Sequence, residues 1–135
     1  MTKTLTNYQI VEILRKLNSP ESFLHSQTKY PVSFLWKVNG NIKKLSAIND
    51  RIAEEEQRIN GEYSTEERAI TDEHGVRIKE EYQEGFVKEK TELFSIENNI
   101  EIDTLAFADI EHLEFSPAEF GSLEFMLDDG CDIIE

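Results

Sequence analysis

Beyond Lys90 the chain has no lysine and no arginine, although thirteen Asp or Glu residues follow it. Surface of that kind repels phosphates and acidic lipid headgroups, so direct binding of nucleic acid or of an anionic membrane is excluded. Cysteine occurs once, as Cys131, which rules out an internal disulfide and a CxxC metal knuckle. No stretch approaches the ~20 apolar residues of a membrane span, and MTKTLTNYQI lacks the apolar run of a signal peptide. The expectation is an intracellular, soluble chain.

Motifs that carry chemistry are missing as well. His25, His74 and His112 are far apart and none stands in HExxH or a similar spacing. Asp109 and His112 lie three apart and can share a helix face, but such surface pairs are far commoner than metal ligands. The DDGCD tail has acids and a glycine without the alternating acid spacing of a calcium loop. There is no Gly-rich phosphate loop and no GxSxG. Catalytic residues, metal and cofactors are therefore expected to be none, and the protein is read as not an enzyme.

What is present is charge, unevenly placed. The net charge is −14 over 135 residues, well beyond the magnitude of about 2 to 8 usual for a small domain. Residues 1–49 carry seven basic and two acidic side chains, residues 50–92 seven and fourteen, and residues 93–135 none and twelve. Folding the acidic end onto the basic N-terminal third, through Arg15, Lys16, Lys43 and Lys44, would relieve part of the self-repulsion. The cations are too few to cancel it.

At 135 residues the chain is long enough for one domain but too short for two, and hydrophobic residues at 39% are enough for it to fold. In NYQIVEILRKLN, Ile10, Val11, Leu14 and Leu17 follow helical spacing, Thr6 or Asn7 can cap the start, and Ser19-Pro20 stops it. A connector leads to Tyr30-Pro31. Then Leu35, Val38, Ile42, Leu45, Asn49, Ile52, Glu56, Ile59 and Tyr63 alternate steps of three and four, the seam of a coiled-coil-like helix. Gly40 costs about 1 kcal/mol there relative to Ala. Asn49 and Glu56 either set register and partner number or lie where the seam meets solvent. Trp36 is expected to be core, with a binding anchor as the alternative.

The helix is expected to run through STEERAI to near Thr71, where TDEHG forms a turn with Gly75 in a left-handed conformation. Ile78, Tyr82, Phe86, Leu93 and Ile96 then define a second helix that folds back on the first. Ile100 and Ile102 alternate with acids, as in a short strand. Phe107, Ile110 and Leu113 suggest a helical turn. Ser116-Pro117-Ala118-Glu119 is the clearest helix start, with Phe120, Leu123 and Leu127 on one face. The fold class expected is mainly α: a short N-terminal helix and connector over residues 1–30, a long antiparallel helical hairpin over 31–98, and a small acidic α(+β) unit over 99–135, all in a single domain.

The order of NYQIVEILRKLN, FLWKVNGNIKKLSAI, a Glu-rich hairpin, IENNIEIDTL and FSPAEFGSLEFML resembles small acidic proteins encoded by phages of Gram-positive bacteria. That resemblance implies phage or prophage origin, action in a bacterial host cytoplasm, and either virion assembly or modification of a host system. It brings no catalytic residues.

Two functions follow. The first is an acidic interaction module that binds a basic protein partner, for example as a DNA mimic inhibiting a host nuclease or another nucleic-acid-binding defence enzyme. Its partner-binding residues would be Asp103, Asp109, Glu111, Glu114, Glu119, Glu124, Asp128 and Asp129. The alternative is a phage assembly factor that forms a homo-oligomer through the hairpin seam Leu35, Val38, Ile42, Leu45, Asn49, Ile52 and Ile59.

Overall fold

The computed structural model describes residues 2–25, 29–111 and 113–127, without the side chains of Phe107 and Asp109. The chain begins as a strand, β1 (Thr2–Thr6), that runs directly into helix α1 (Asn7–Asn18). Thr6 makes the transition. It ends the strand, accepts from Gln9 N–H and has its own N–H bound by the Gln9 side chain, a reciprocal capping box. Arg15 and Lys16 in the last turn suit the negative end of the helix dipole.

After a short 3₁₀ turn at Phe23–His25 comes the long helix α2 (Val32–Glu62). Val38, Leu45, Ile52 and Ile59, spaced by sevens, are all buried, with Tyr63 closing the row. Leu35, Ile42, Asn49 and Glu56 are half-buried beside them. This side of α2 packs against α1 and against α3 (Glu80–Phe94). Contacts of Tyr63 with Phe86 and of Lys90 with Glu56 and Asn60 show that α2 and α3 run antiparallel.

The expectation of a mainly α chain is corrected by two antiparallel two-stranded sheets. The helix does not continue through STEERAI. It ends at Glu62, and a hairpin of β2 (Ala69–Asp72) and β3 (Gly75–Ile78) stands between α2 and α3. Ile70 and Thr71 on one side of the turn, and Val76 and Ile78 on the other, are β-branched residues suited to a pleated ribbon. Gly75 at φ +105 makes the tight turn, as its place in TDEHG predicts.

The second sheet joins distant parts of the chain. β1 pairs with β4 (Glu97–Glu101) in a register that sets Thr2 opposite Glu101 and Thr6 opposite Glu97. Asn7 reinforces the joint: its N–H donates to the Ile96 carbonyl (2.9 Å) and its side-chain amide to the Leu93 carbonyl (2.7 Å) at the end of α3. Asn98 donates in turn to the Asn7 side-chain oxygen (2.8 Å).

The last described third consists of a short helix α4 (Phe107–Ile110), helix α5 (Pro117–Leu123) and a 3₁₀ turn at Glu124–Met126. Ser116 caps α5 with Glu119 completing the box, as SPAE predicts. Leu105, Ile110, Leu123, Met126 and Leu127 are buried and belong to the same apolar core as Ile10, Leu17, Phe23 and the α2 row. Phe23, Tyr30, Phe34 and Phe115 meet in edge and stacked contacts at 4.9–6.5 Å, which ties the acidic third to the start of α2.

Candidate functional site

The acidic third is held to the rest of the chain through its backbone. Asn41, fully buried on α2, donates its amide to the Asp103 carbonyl (2.9 Å) and accepts from Asp103 N–H (2.8 Å). Lys3 Nζ reaches across from β1 to the carbonyls of Phe125 (2.6 Å) and Leu127 (3.1 Å). Lys37 donates to the Thr104 carbonyl (3.1 Å) and Lys44 to the Glu101 carbonyl (2.6 Å). Lys3 and Lys44 thus meet carbonyl oxygens of the acidic third, whose Glu101 carboxylate accepts from the Thr2 hydroxyl.

The consequence is electrostatic. Asp103, Glu111, Glu114 and Glu124 are exposed, and among the described residues none of the four makes an ion pair. Their backbone is nonetheless anchored. Glu111 follows buried Ile110, Glu114 precedes Phe115 of the aromatic cluster, and Glu124 follows fully buried Leu123. Carboxylates left on a fixed frame without counter-charge keep their full attraction for an external cation.

Glu119 is placed differently. It is half-buried and its carboxylate accepts from Ser116 N–H (2.9 Å) in the α5 cap, so part of its hydrogen-bonding capacity serves the fold. Asp109 lies on α4, but its side chain falls outside the described residues, as do His112, Asp128, Asp129 and Cys131. Of the seam residues, Val38, Leu45, Ile52 and Ile59 are buried within this chain, and Leu35, Ile42 and Asn49 are half-buried. Glu56 pairs with Lys90 at 3.4 Å.

Trp36 reverses its expectation. It is 79% exposed, because the buried row of α2 passes through Phe34, Val38 and Asn41 and leaves position 36 on the outer face. The buried role of Asn41 had a signal in the sequence: Phe34, Val38, Asn41 and Leu45 also follow steps of four, three and four. An open cleft of about 540 Å³ lies between Glu21, His25 and the start of α5. Among the described residues no three His, Cys, Asp or Glu side chains are gathered as a metal site would need. Nor, among them, is any helix long and apolar enough to cross a membrane. Compared with protein-family models, curated proteins and solved structures, the chain matches none of them.

Proposed function

We propose that the chain is a non-enzymatic interaction module whose acidic surface docks on a basic face of a partner protein. The observation that carries this reading is the division of labour among cations. Lys3 and Lys44 reach the acidic third and donate to its carbonyls, while Asp103, Glu111, Glu114 and Glu124 stay exposed and make no ion pair among the described residues. Ion pairing inside the molecule would have been the simpler use of those lysines if the acids served only the fold.

A fixed array of carboxylates suits a groove lined by Lys and Arg, the surface by which nucleic-acid-binding enzymes hold phosphates. Occupation of such a groove would make the protein a DNA mimic and an inhibitor. The resemblance to phage proteins supports a bacterial enzyme as the target and the host cytoplasm as the place.

The test is a comparison of two baits in a bacterial extract: the wild type, and a variant with Glu111, Glu114 and Glu124 all replaced by Gln. The reading requires a basic protein held by the wild type, released by salt and absent from the variant. Recovery of the same proteins on both baits would contradict it.

A further inference from the structure

The outer stripe of the first half of α2 differs from the rest of the surface. Val32 and Trp36, one turn apart, are 83% and 79% exposed, more than any other large apolar side chain described. Asn39 and Lys43 continue the same stripe and are also exposed. An aromatic of this size left in water on a regular helix is typical of an anchor that a partner covers.

The charge around it is equally selective. From Ser22 to Asn49 there is no Asp or Glu, in a chain that has 28 of them. Lys29 and Lys43 are exposed there, and among the described residues Lys43 makes no ion pair. The stretch that bears Trp36 therefore contributes cations and no acid of its own, and the last third contributes acids and no cation of its own.

We infer that these two faces bind each other between copies: the Val32–Trp36–Lys43 stripe of one molecule docks on the carboxylate surface around Glu111, Glu114 and Glu124 of the next. This rests on reading that acidic surface as a docking surface, and it names a second copy of the chain as a partner. The distribution of charge favours a head-to-tail contact. Joining two Trp36 faces would set Lys43 of one copy against Lys43 of the other, and joining two acidic faces would set carboxylates against carboxylates. A head-to-tail contact does not close on itself in a pair, so it extends into rings or chains. The net charge of −14 on each copy opposes approach, and at physiological salt that repulsion is screened beyond about 8 Å. The contact is thus weak and driven by concentration.

Trp36 is the only tryptophan and reports on its own burial. Sedimentation and Trp36 emission should be followed together at physiological salt from about 10 μM to about 1 mM, the range in which a weak contact dissociates. The wild type should grow in mass with a blue shift of the emission. Trp36→Ser and the triple Glu111→Gln, Glu114→Gln, Glu124→Gln variant should each stay monomeric. Mixed together, they should form a one-to-one dimer that cannot extend and should restore the blue shift, since each supplies the face the other lacks. All these positions are exposed, so the variants keep the fold. A wild type that stays monomeric with water-exposed emission overturns the inference. So does association of either variant alone, or a mixture that stays monomeric. None of those results touches capture of a different basic protein, which tests the acidic surface separately.

Discussion

Asn41 and Asp103 form a two-bond clamp, the side-chain amide of one pairing with the backbone N–H and carbonyl of the other at 2.8 and 2.9 Å. The amide does for Asp103 what a neighbouring strand would do, and it does so from a fully buried position on α2. A buried polar side chain is stable only when its donors and acceptors are met. Here that requirement fixes where the acidic third leaves the helical body.

Asn41→Ala should therefore cost about 3 kcal/mol, since it orphans two backbone groups as well as opening a cavity. Denaturant titration measures this. Asn41→Asp adds a pH signature. A carboxylate lacks the donor and would be buried beside Asp103, so its folded pKa is raised above the unfolded value. Stability should be lowest at neutral pH and recover as the pH falls through that raised pKa, where the neutral acid regains a donor. An Asn41→Ala variant as stable as the wild type would remove the clamp from the account.

Lys3 holds the end of the described chain to β1. Lys3→Met keeps the apolar stem and removes the donors to Phe125 and Leu127. A loss of about 1–2 kcal/mol is expected, with faster hydrogen exchange at Leu105 N–H, whose acceptor is the Met126 carbonyl between those two residues. Unchanged exchange there would show that the lysine contacts do not hold the segment.

The parts of this fold that are local in sequence were legible, and those that depend on distant partners were not. Ser116-Pro117-Ala118-Glu119 specifies its own cap, and the turn before Gly75 needs no outside contact. The sevenfold row from Val38 to Ile59 is visible because one helix carries all of it. β1 is different: TKTLT becomes a strand only because Glu97–Glu101 lies alongside it, about 95 residues away, and no periodicity in five residues announces that. Trp36 departs from expectation because hydrophobicity alone assigns an indole to the core, whereas the helix phase puts Phe34 there. The acidic surface was legible as composition. Which of its carboxylates are unpaired depended on Lys3 and Lys44 turning to carbonyl oxygens, which charge counts do not show.

If Glu111, Glu114 and Glu124 are unpaired, removing their charge should not harm the fold. The triple Gln variant should unfold at the same denaturant concentration as the wild type or slightly above it, by a few tenths of a kcal/mol, through relief of repulsion. A marked loss of stability would mean that these carboxylates are engaged within the molecule.

Where α2 meets α3, Tyr63 lies over Gly85, with Phe86 edge-on at 5.3 Å and the Arg68 guanidinium 5.1 Å from its ring centre. A hydrogen bond to Glu89, followed by desolvation, raises the phenol above its ordinary 10.0. With the folded value raised, its contribution to stability is present below pH 10 and is lost as pH climbs through the raised value. Among the four tyrosines, Tyr63→Phe should remove a late-titrating phenolate from the ultraviolet titration.

The two nearby glycines should then behave oppositely. Gly61→Ala meets nothing within 4 Å and should stabilise the protein by about 0.5–1 kcal/mol through helix propensity. Gly85→Ala places a methyl 2.9 Å from the Tyr63 hydroxyl, so the gain should be cancelled or reversed. The raised phenol should return toward its ordinary value. Equal stabilisation by both substitutions, read from thermal melts, would contradict this packing.

If the anchored carboxylates of the last third hold a basic partner, as proposed, charge must set the strength of the complex. The affinity of the captured partner should be measured across salt, for the wild type and for the triple Gln variant. Between roughly 50 and roughly 300 mM salt the wild-type affinity should fall at least about tenfold, with a shallower dependence and weaker binding for the variant. An affinity that ignores salt, or that is the same with and without Glu111, Glu114 and Glu124, would contradict the claim.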